Sequence, residues 1–156
     1  MDWRTLVLTL LVPLLLICGC GAPKPPEIVP VTGSLTYKGK PLSKAKVRFL
    51  PMADGLGGNF TASGVTDEEG KFSLSLPGDK GEGCYACETK VIVVEGPSPP
   101  GSRDDSEKGD EIRRKHRASL KNRPIPKKYA QIGTTPFTFT VSAEENHFDL
   151  ELDNSK

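Results

Sequence analysis

Val31-Thr32-Gly33-Ser34-Leu35-Thr36-Tyr37-Lys38-Gly39-Lys40-Pro41-Leu42 decides the fold class. Val31, Leu35 and Tyr37 fall on one face and Thr32, Ser34 and Thr36 on the other, the period of two that marks a half-buried strand. Lys38-Gly39-Lys40-Pro41 then supplies turn chemistry. The same pattern extends outward. Val29 joins the first strand, and Ala45, Val47 and Phe49 alternate with Lys46 and Arg48. A Gly-rich loop from Asp54 to Asn59 leads to a short, weaker strand over Phe60 to Val65, and Phe72, Leu74 and Leu76 point inward from Lys71 to Leu76. Val91-Ile92-Val93-Val94 is apolar on both faces and belongs in the middle of a sheet. Phe137, Phe139 and Val141 alternate with threonines, and Phe148, Leu150 and Leu152 alternate with Asp149, Glu151 and Asp153. About seven strands separated by turn residues are expected of an all-β sandwich.

Composition agrees. The 156 residues suit one domain with appendages, and 16 Gly with 14 Pro favour turns over long helices, against a helical bundle. Lys and Arg (21) balance Asp and Glu (20), against a surface built throughout for nucleic acid.

The N-terminal end reads as an address. Leu6 to Cys18 is an apolar run of 13 residues behind the single basic Arg4. It is too short for a span, which needs about 20 residues, and fits a secretory h-region. Ile17-Cys18-Gly19-Cys20 resembles a bacterial lipobox, with the small Gly19 before the lipid-accepting Cys20. Residues 1–19 are thus expected to be a lipoprotein signal peptide, 20–28 a lipidated Pro-rich tether, and 29–153 the domain. Several acyl chains on Cys20, each adding about 0.8 kcal/mol per buried CH2, make a durable anchor. The expected location is the bacterial cell envelope, periplasm-facing or at the surface. Gly21 in place of an Asp-type retention signal leans toward the outer membrane.

One stretch, residues 96–126, lacks a strand pattern. It opens with a Pro-rich linker composition, continues through Asp104, Asp105, Glu107, Asp110 and Glu111, and ends in a basic run. Ile112 to Lys128 holds eight Lys/Arg and no acid. Asp110 to Leu120 suits two or three helical turns, acids first and bases last. A segment this long and polar is expected to be a mostly mobile loop.

These residues together resemble a known family. Val31 to Leu42 resembles the opening of carboxypeptidase regulatory-like domains, whose first strand ends in Gly-x-Pro-Leu before a second strand, here Ala45 to Leu50. Gly64-Val65-Thr66-Asp67-Glu68-Glu69-Gly70-Lys71-Phe72 is similar to that family's T-D-x-x-G-x-[FY] hairpin. Ile125-Pro126-Lys127-Lys128-Tyr129 and the two strands after it resemble the end of small planctomycete-type lipoproteins carrying such a domain. The resemblance implies a transthyretin-like (prealbumin-like), seven-stranded Greek-key sandwich with an accessory role. It implies no activity, because fold does not deliver function.

Candidate chemistries are few. Asp67, Glu68 and Glu69 lack the further oxygen ligands of a calcium site, and Asp67 with Gly70 reads as a turn. Cys84 and Cys87 remain once Cys18 leaves with the signal and Cys20 is lipidated. An extended i, i+3 pair lies about 10 Å apart and a bridge needs Cα atoms within ~7 Å, so a disulfide requires a turn at Tyr85-Ala86. That disulfide is the expected state, ahead of free thiols, and redox catalysis is the lesser reading. Zinc is not expected, since His116 sits among cations and His147 precedes a strand. No G-x-S-x-G elbow occurs, and Gly55-Leu56-Gly57-Gly58 opens no helix. Hydroxyisourate hydrolases share only the expected fold, since their C-terminal Tyr-Arg-Gly-Ser is absent here.

The expected function is therefore a membrane-anchored, non-enzymatic structural or interaction module with no cofactor. Its candidate anion contacts are Arg113, Arg114, Lys115 and Arg117, facing an envelope protein, anionic polysaccharide or lipid and not nucleic acid. The alternative is a binding protein for an anionic polymer or small ligand, and after it a thiol-redox or metal protein using Cys84 and Cys87.

Overall fold

A computed structural model describes residues 26–153 except 57, 79 and 145. The signal segment, Cys20 and most of the tether lie outside the described residues. The first expected strand is divided at Pro30, which has no N–H to donate, into β1 (Ile28–Val29) and β2 (Val31–Tyr37). There follow β3 (Lys40–Pro41), β4 (Ala45–Pro51), β5 (Ala62–Val65), β6 (Lys71–Ser73), β7 (Cys84–Tyr85), β8 (Glu88–Glu95), β9 (Thr138–Thr140) and β10 (Asn146–Leu152). They form three sheets. In the first, β2 pairs in parallel with β10 on one edge and antiparallel with β3 and β6 on the other. The second has the order β5-β4-β8-β9, antiparallel throughout, with β8 in its middle as its apolar faces require. The third is the short pair β1-β7.

The two larger sheets enclose one core as a β-sandwich. Leu35, Val47, Phe49, Val91, Val93 and Leu152 are fully buried, from the faces the alternation turned inward. Aromatic rings cross the core in sequence. Centroids are 6.4 Å apart for Phe72–Phe49, 5.6 Å for Phe49–Phe148, 4.9 Å for Phe148–Phe139, 6.0 Å for Phe139–Phe137 and 5.2 Å for Phe137–Tyr129. Each such contact contributes about 0.5–1.5 kcal/mol beyond its burial. Gly33 makes room for this row: a Cβ there would stand 2.5 Å from Phe72 Cζ and 2.2 Å from the Phe148 carbonyl oxygen. After β6 the chain passes to the second sheet, where Ser75 and Ser63 exchange N–H···O bonds of 2.8 and 3.0 Å. That exchange closes one side of the sandwich; the Phe139–Phe148 contact closes the other.

Turn chemistry follows the sequence closely. Lys38 and Gly39 take φ of 55° and 70°, the two positive angles of a two-residue hairpin turn. In the Thr66–Gly70 turn, Asp67 Oδ1 accepts from the N–H groups of Glu69 (3.0 Å) and Lys71 (2.8 Å). Gly70 sits at φ 77°, and a Cβ there would lie 2.5 Å from the Leu35 carbonyl oxygen. The remaining boundaries shift slightly. The strand expected over Phe60 to Val65 starts at Ala62, behind a 3-10 turn at Gly58–Phe60.

Within 96–126 the helical turns expected over Asp110 to Leu120 are present. Glu107–Ser119 is an α-helix, α1, starting three residues before the expected Asp110. Ser106 caps it by accepting from the Gly109 N–H, and Asp104 holds Ser106 through both its N–H and its hydroxyl. Beyond α1 the chain is pinned to the sandwich. Asn122 Nδ2 donates to the Tyr37 carbonyl at 2.6 Å, while Arg123 reaches Glu95 and the carbonyls of Ser43 and Lys44. Charges read as a solvated run are thus partly spent on internal contacts.

The contacts define two poles. Glu27 accepts from the Ala86 N–H, so the tether enters beside the start of β8. Segment 119–123 binds where β2 and β8 end, about 20 Å away at the strand rise.

Candidate functional site

The basic positions divide by role. Arg113 Nη1 donates to the carbonyls of Ser102 and Asp104, and its Nη2 pairs with Asp110. This guanidinium therefore holds the helix to the segment before it, and its donors do not face outward. Lys115 pairs with Glu111 one turn earlier at 2.7 Å, an exposed pair of small energetic weight. Arg114 and Arg117 have no such ion pair among the described residues. The four candidates share one helix, yet they form no single cationic face. The helix also joins the sandwich at the pole away from the tether's entry.

Cys84 and Cys87 are both free thiols, so the bridge drawn between them is corrected. The chain does turn sharply, with the Cys87 N–H bonded to the Tyr85 carbonyl at 2.9 Å. The two sulfurs serve different neighbours. Cys84 is fully buried in the core, whereas the Cys87 thiol faces the backbone of Met52 and Ala53. Burial first, then the neighbouring Cys87, pushes the Cys84 thiol from 9.0 up to about 12, with a backbone contact at Tyr85 opposing. Burial also raises Cys87. Dithiol catalysts need the opposite, a thiolate favoured near neutral pH. Among the described residues no three His, Cys, Asp or Glu side chains gather as a metal site.

A polar site missed by the sequence reading lies on the outer face of the first sheet. Parallel pairing sets His147 beside Thr32 and Asp149 beside Ser34. Thr32 Oγ1 lies 3.0 Å from His147 Nδ1, His147 Nε2 lies 3.3 Å from Asp149 Oδ1, and Ser34 donates to that same oxygen at 2.6 Å. The Ser34 bond, more than the nearby imidazole, holds the Asp149 carboxyl below the usual carboxylate range. Thr32, Ser34 and His147, with Lys71, Ser73 and Asp67, border an open groove of about 620 Å³, and Asp149 stands behind that lining. Hydroxyl, imidazole and carboxylate stand in a row, but β2 is paired on both edges. Its N–H groups are engaged in ladders and do not form an oxyanion cradle. The groove offers hydrogen bonds to a polar ligand. Strand alternation pointed these side chains outward; the register of β10 against β2, which alternation does not encode, decides which of them meet.

Comparison with known proteins gives limited company. No protein-family model matches the chain, and no curated protein matches it. Among solved structures, a DUF3823 family protein from Parabacteroides merdae is similar at a TM-score of 0.41 and 13% identity, over 82% of this chain and 46% of that one. The chain thus spans about half the length of that relative. The dioxygenase domain of a dioxygenase carbohydrate-binding protein fusion from Streptomyces sp. SirexAA-E is similar at a TM-score of 0.34 and 16% identity, covering 86% of this chain and 84% of that chain.

Proposed function

We propose that the chain is a lipid-anchored, non-enzymatic β-sandwich of the bacterial envelope that acts as an interaction module. In this reading Cys20 carries the lipid, the tether holds the domain at the membrane, and the domain is a carboxypeptidase regulatory-like, transthyretin-type Greek key. The observation that carries it is the placement of α1 at the pole opposite the tether's entry. A module held at one end and contacting a partner at the other needs that polarity. Arg114 and Arg117, rather than Arg113 and Lys115, are its anion contacts, and an acidic envelope polysaccharide fits their position better than the anchoring bilayer.

Two measurements test this. Cys20→Ala should move the chain from the membrane to the soluble fraction and abolish an acylated N-terminal mass; a chain that stays membrane-bound refutes the anchor. Arg114→Glu with Arg117→Glu should weaken retention on an immobilised acidic polysaccharide such as polygalacturonate, with Lys115→Glu nearly neutral. Equal effects at all three positions would mean non-specific charge attraction.

A further inference from the structure

An apolar groove of about 320 Å³ lies at the tether pole, lined by Leu50, Pro51, Met52, Ala53, Thr61 and Ile132 among others. Three large hydrophobic side chains are notably exposed among the described residues, and two of them, Met52 (47%) and Ile132 (45%), border this groove. Thr61 is buried, yet its Oγ1 has no hydrogen-bond partner, unlike every other buried side-chain polar atom among the described residues. Such an atom is costly unless something supplies a partner. The lining thus suits a mostly apolar occupant that brings a hydrogen-bonding group.

The connections of this pole place the groove beside the entering chain. The Met52 N–H bonds to the Glu88 carbonyl, the Ala86 N–H bonds to the Glu27 carbonyl, and the Phe60 ring packs edge-on against Tyr85 at 5.6 Å. The groove therefore adjoins the point where the chain enters the fold. Six residues lie between Cys20 and Glu27, a reach of at most about 25 Å even fully extended. A lipid on Cys20 would keep the groove beside the bilayer at high effective concentration, where even a weak contact is populated.

We propose that this pole docks on the bilayer: Met52 and Ile132 enter the interface, and the groove behind them receives a glycerolipid acyl chain whose ester carbonyl accepts from Thr61 Oγ1. The inference rests on the anchored reading above. It calls for no anionic lipid, since the charges near this pole are mixed, with Glu27, Asp54 and Glu88 against Lys80, whose ammonium lies 4.5 Å over the Phe60 ring, and the contact should survive high salt.

The test uses the mature lipoprotein, from which Trp3 has left with the signal segment, carrying either Ile132→Trp or Val65→Trp as its single tryptophan. Val65 is the third exposed hydrophobic, paired with Lys46 near the far pole. In phosphatidylcholine vesicles with spin-labelled acyl chains, emission at position 132 should be blue-shifted and quenched severalfold more than at 65, at low and high salt alike. Adding Met52→Asp to the Ile132→Trp chain should remove that difference without changing Tm. A chain of acylated mass that floats with the vesicles but shows equal quenching at 132 and 65 overturns the docking and leaves the anchor standing. A chain lacking the lipid mass overturns both.

Discussion

Replacing Thr66 by Val tests what the Thr66–Gly70 hairpin contributes. The side chain is 3% exposed, and its shape is kept by valine. Its hydroxyl donates to the Leu42 carbonyl at 2.6 Å and accepts from the Ala45 N–H at 2.9 Å. Ala45 and Leu42 are both fully buried, so water cannot readily replace the lost partner. Two hydrogen bonds at ~1 kcal/mol each, plus part of the ~1–3 kcal/mol penalty for each stranded buried group, give a loss of about 2–4 kcal/mol. For a domain of this size, Tm should fall by roughly 3–5 °C per kcal/mol, or about 10 °C in all. Urea unfolding should show a lower midpoint at unchanged m, which separates a stability change from a change in compactness. Thr66→Ser keeps the hydroxyl and loses a methyl, so its cost should stay near 1 kcal/mol. If Val is tolerated to within about 0.5 kcal/mol while Ser is not, the methyl carries the position and the argument from the hydroxyl is wrong.

Three further outcomes are expected. In the soluble domain Thr61→Val removes a buried hydroxyl without a partner and should stabilise by about 1 kcal/mol; destabilisation in urea melts would show that the hydroxyl is satisfied. Arg113→Ala should speed amide exchange across residues 102–119 while Arg114→Ala leaves it unchanged, because only Arg113 bonds to the Ser102 and Asp104 carbonyls; equal exchange in the two variants would refute the division of roles. With its thiol raised from 9.0 to about 12, Cys84 binds its proton more tightly folded than unfolded. Its contribution is complete below pH 9 and is lost as pH rises from there toward 12, at about 1.4 kcal/mol per pH unit. Cys84→Ala should flatten that decline in denaturant titrations, and native Cys84 should resist alkylation at pH 8.

The fold was legible because alternation is a local signal. Each inward residue of β2, β4 and β6 lies where period two placed it, and Asp67 and Gly70 make the turn their chemistry requires. The helix was harder to read. Its apolar content is too slight to declare a buried face, and what orders it is a cap and a set of polar tethers. Ser106 before Glu107 was a readable start signal. The bonds from Asn122 to Tyr37 and from Arg123 to Glu95 were not, because they join positions 85 and 28 residues apart. The cysteine spacing misled for a related reason: it bounds the distance between two residues but does not say which neighbour each side chain faces.

The candidate sites depend on strand direction, which alternation leaves open. A period of two assigns faces, and a strand reversed end for end keeps the same inward residues. β10 runs parallel to β2, so His147 meets Thr32 and Leu152 meets Tyr37. Antiparallel pairing over the same span would bury the same Leu150 and Leu152 and keep Asp149 opposite Ser34, but it would set His147 against Thr36 instead of Thr32 and so move the polar row toward the other end of β2. The same direction carries Asp153 to the far pole, where its carboxylate accepts from Tyr129 Oη at 2.9 Å and from Lys128 Nζ at 2.7 Å. Those bonds seat Tyr129 under Phe137 and keep the second half of the basic run on the sandwich. Lys128 and Arg123, like Arg113, thus serve the fold, and the charge left for a partner narrows to a few helix positions. A count of cations along the chain overstates such a surface, because the register decides which of them the protein has already used.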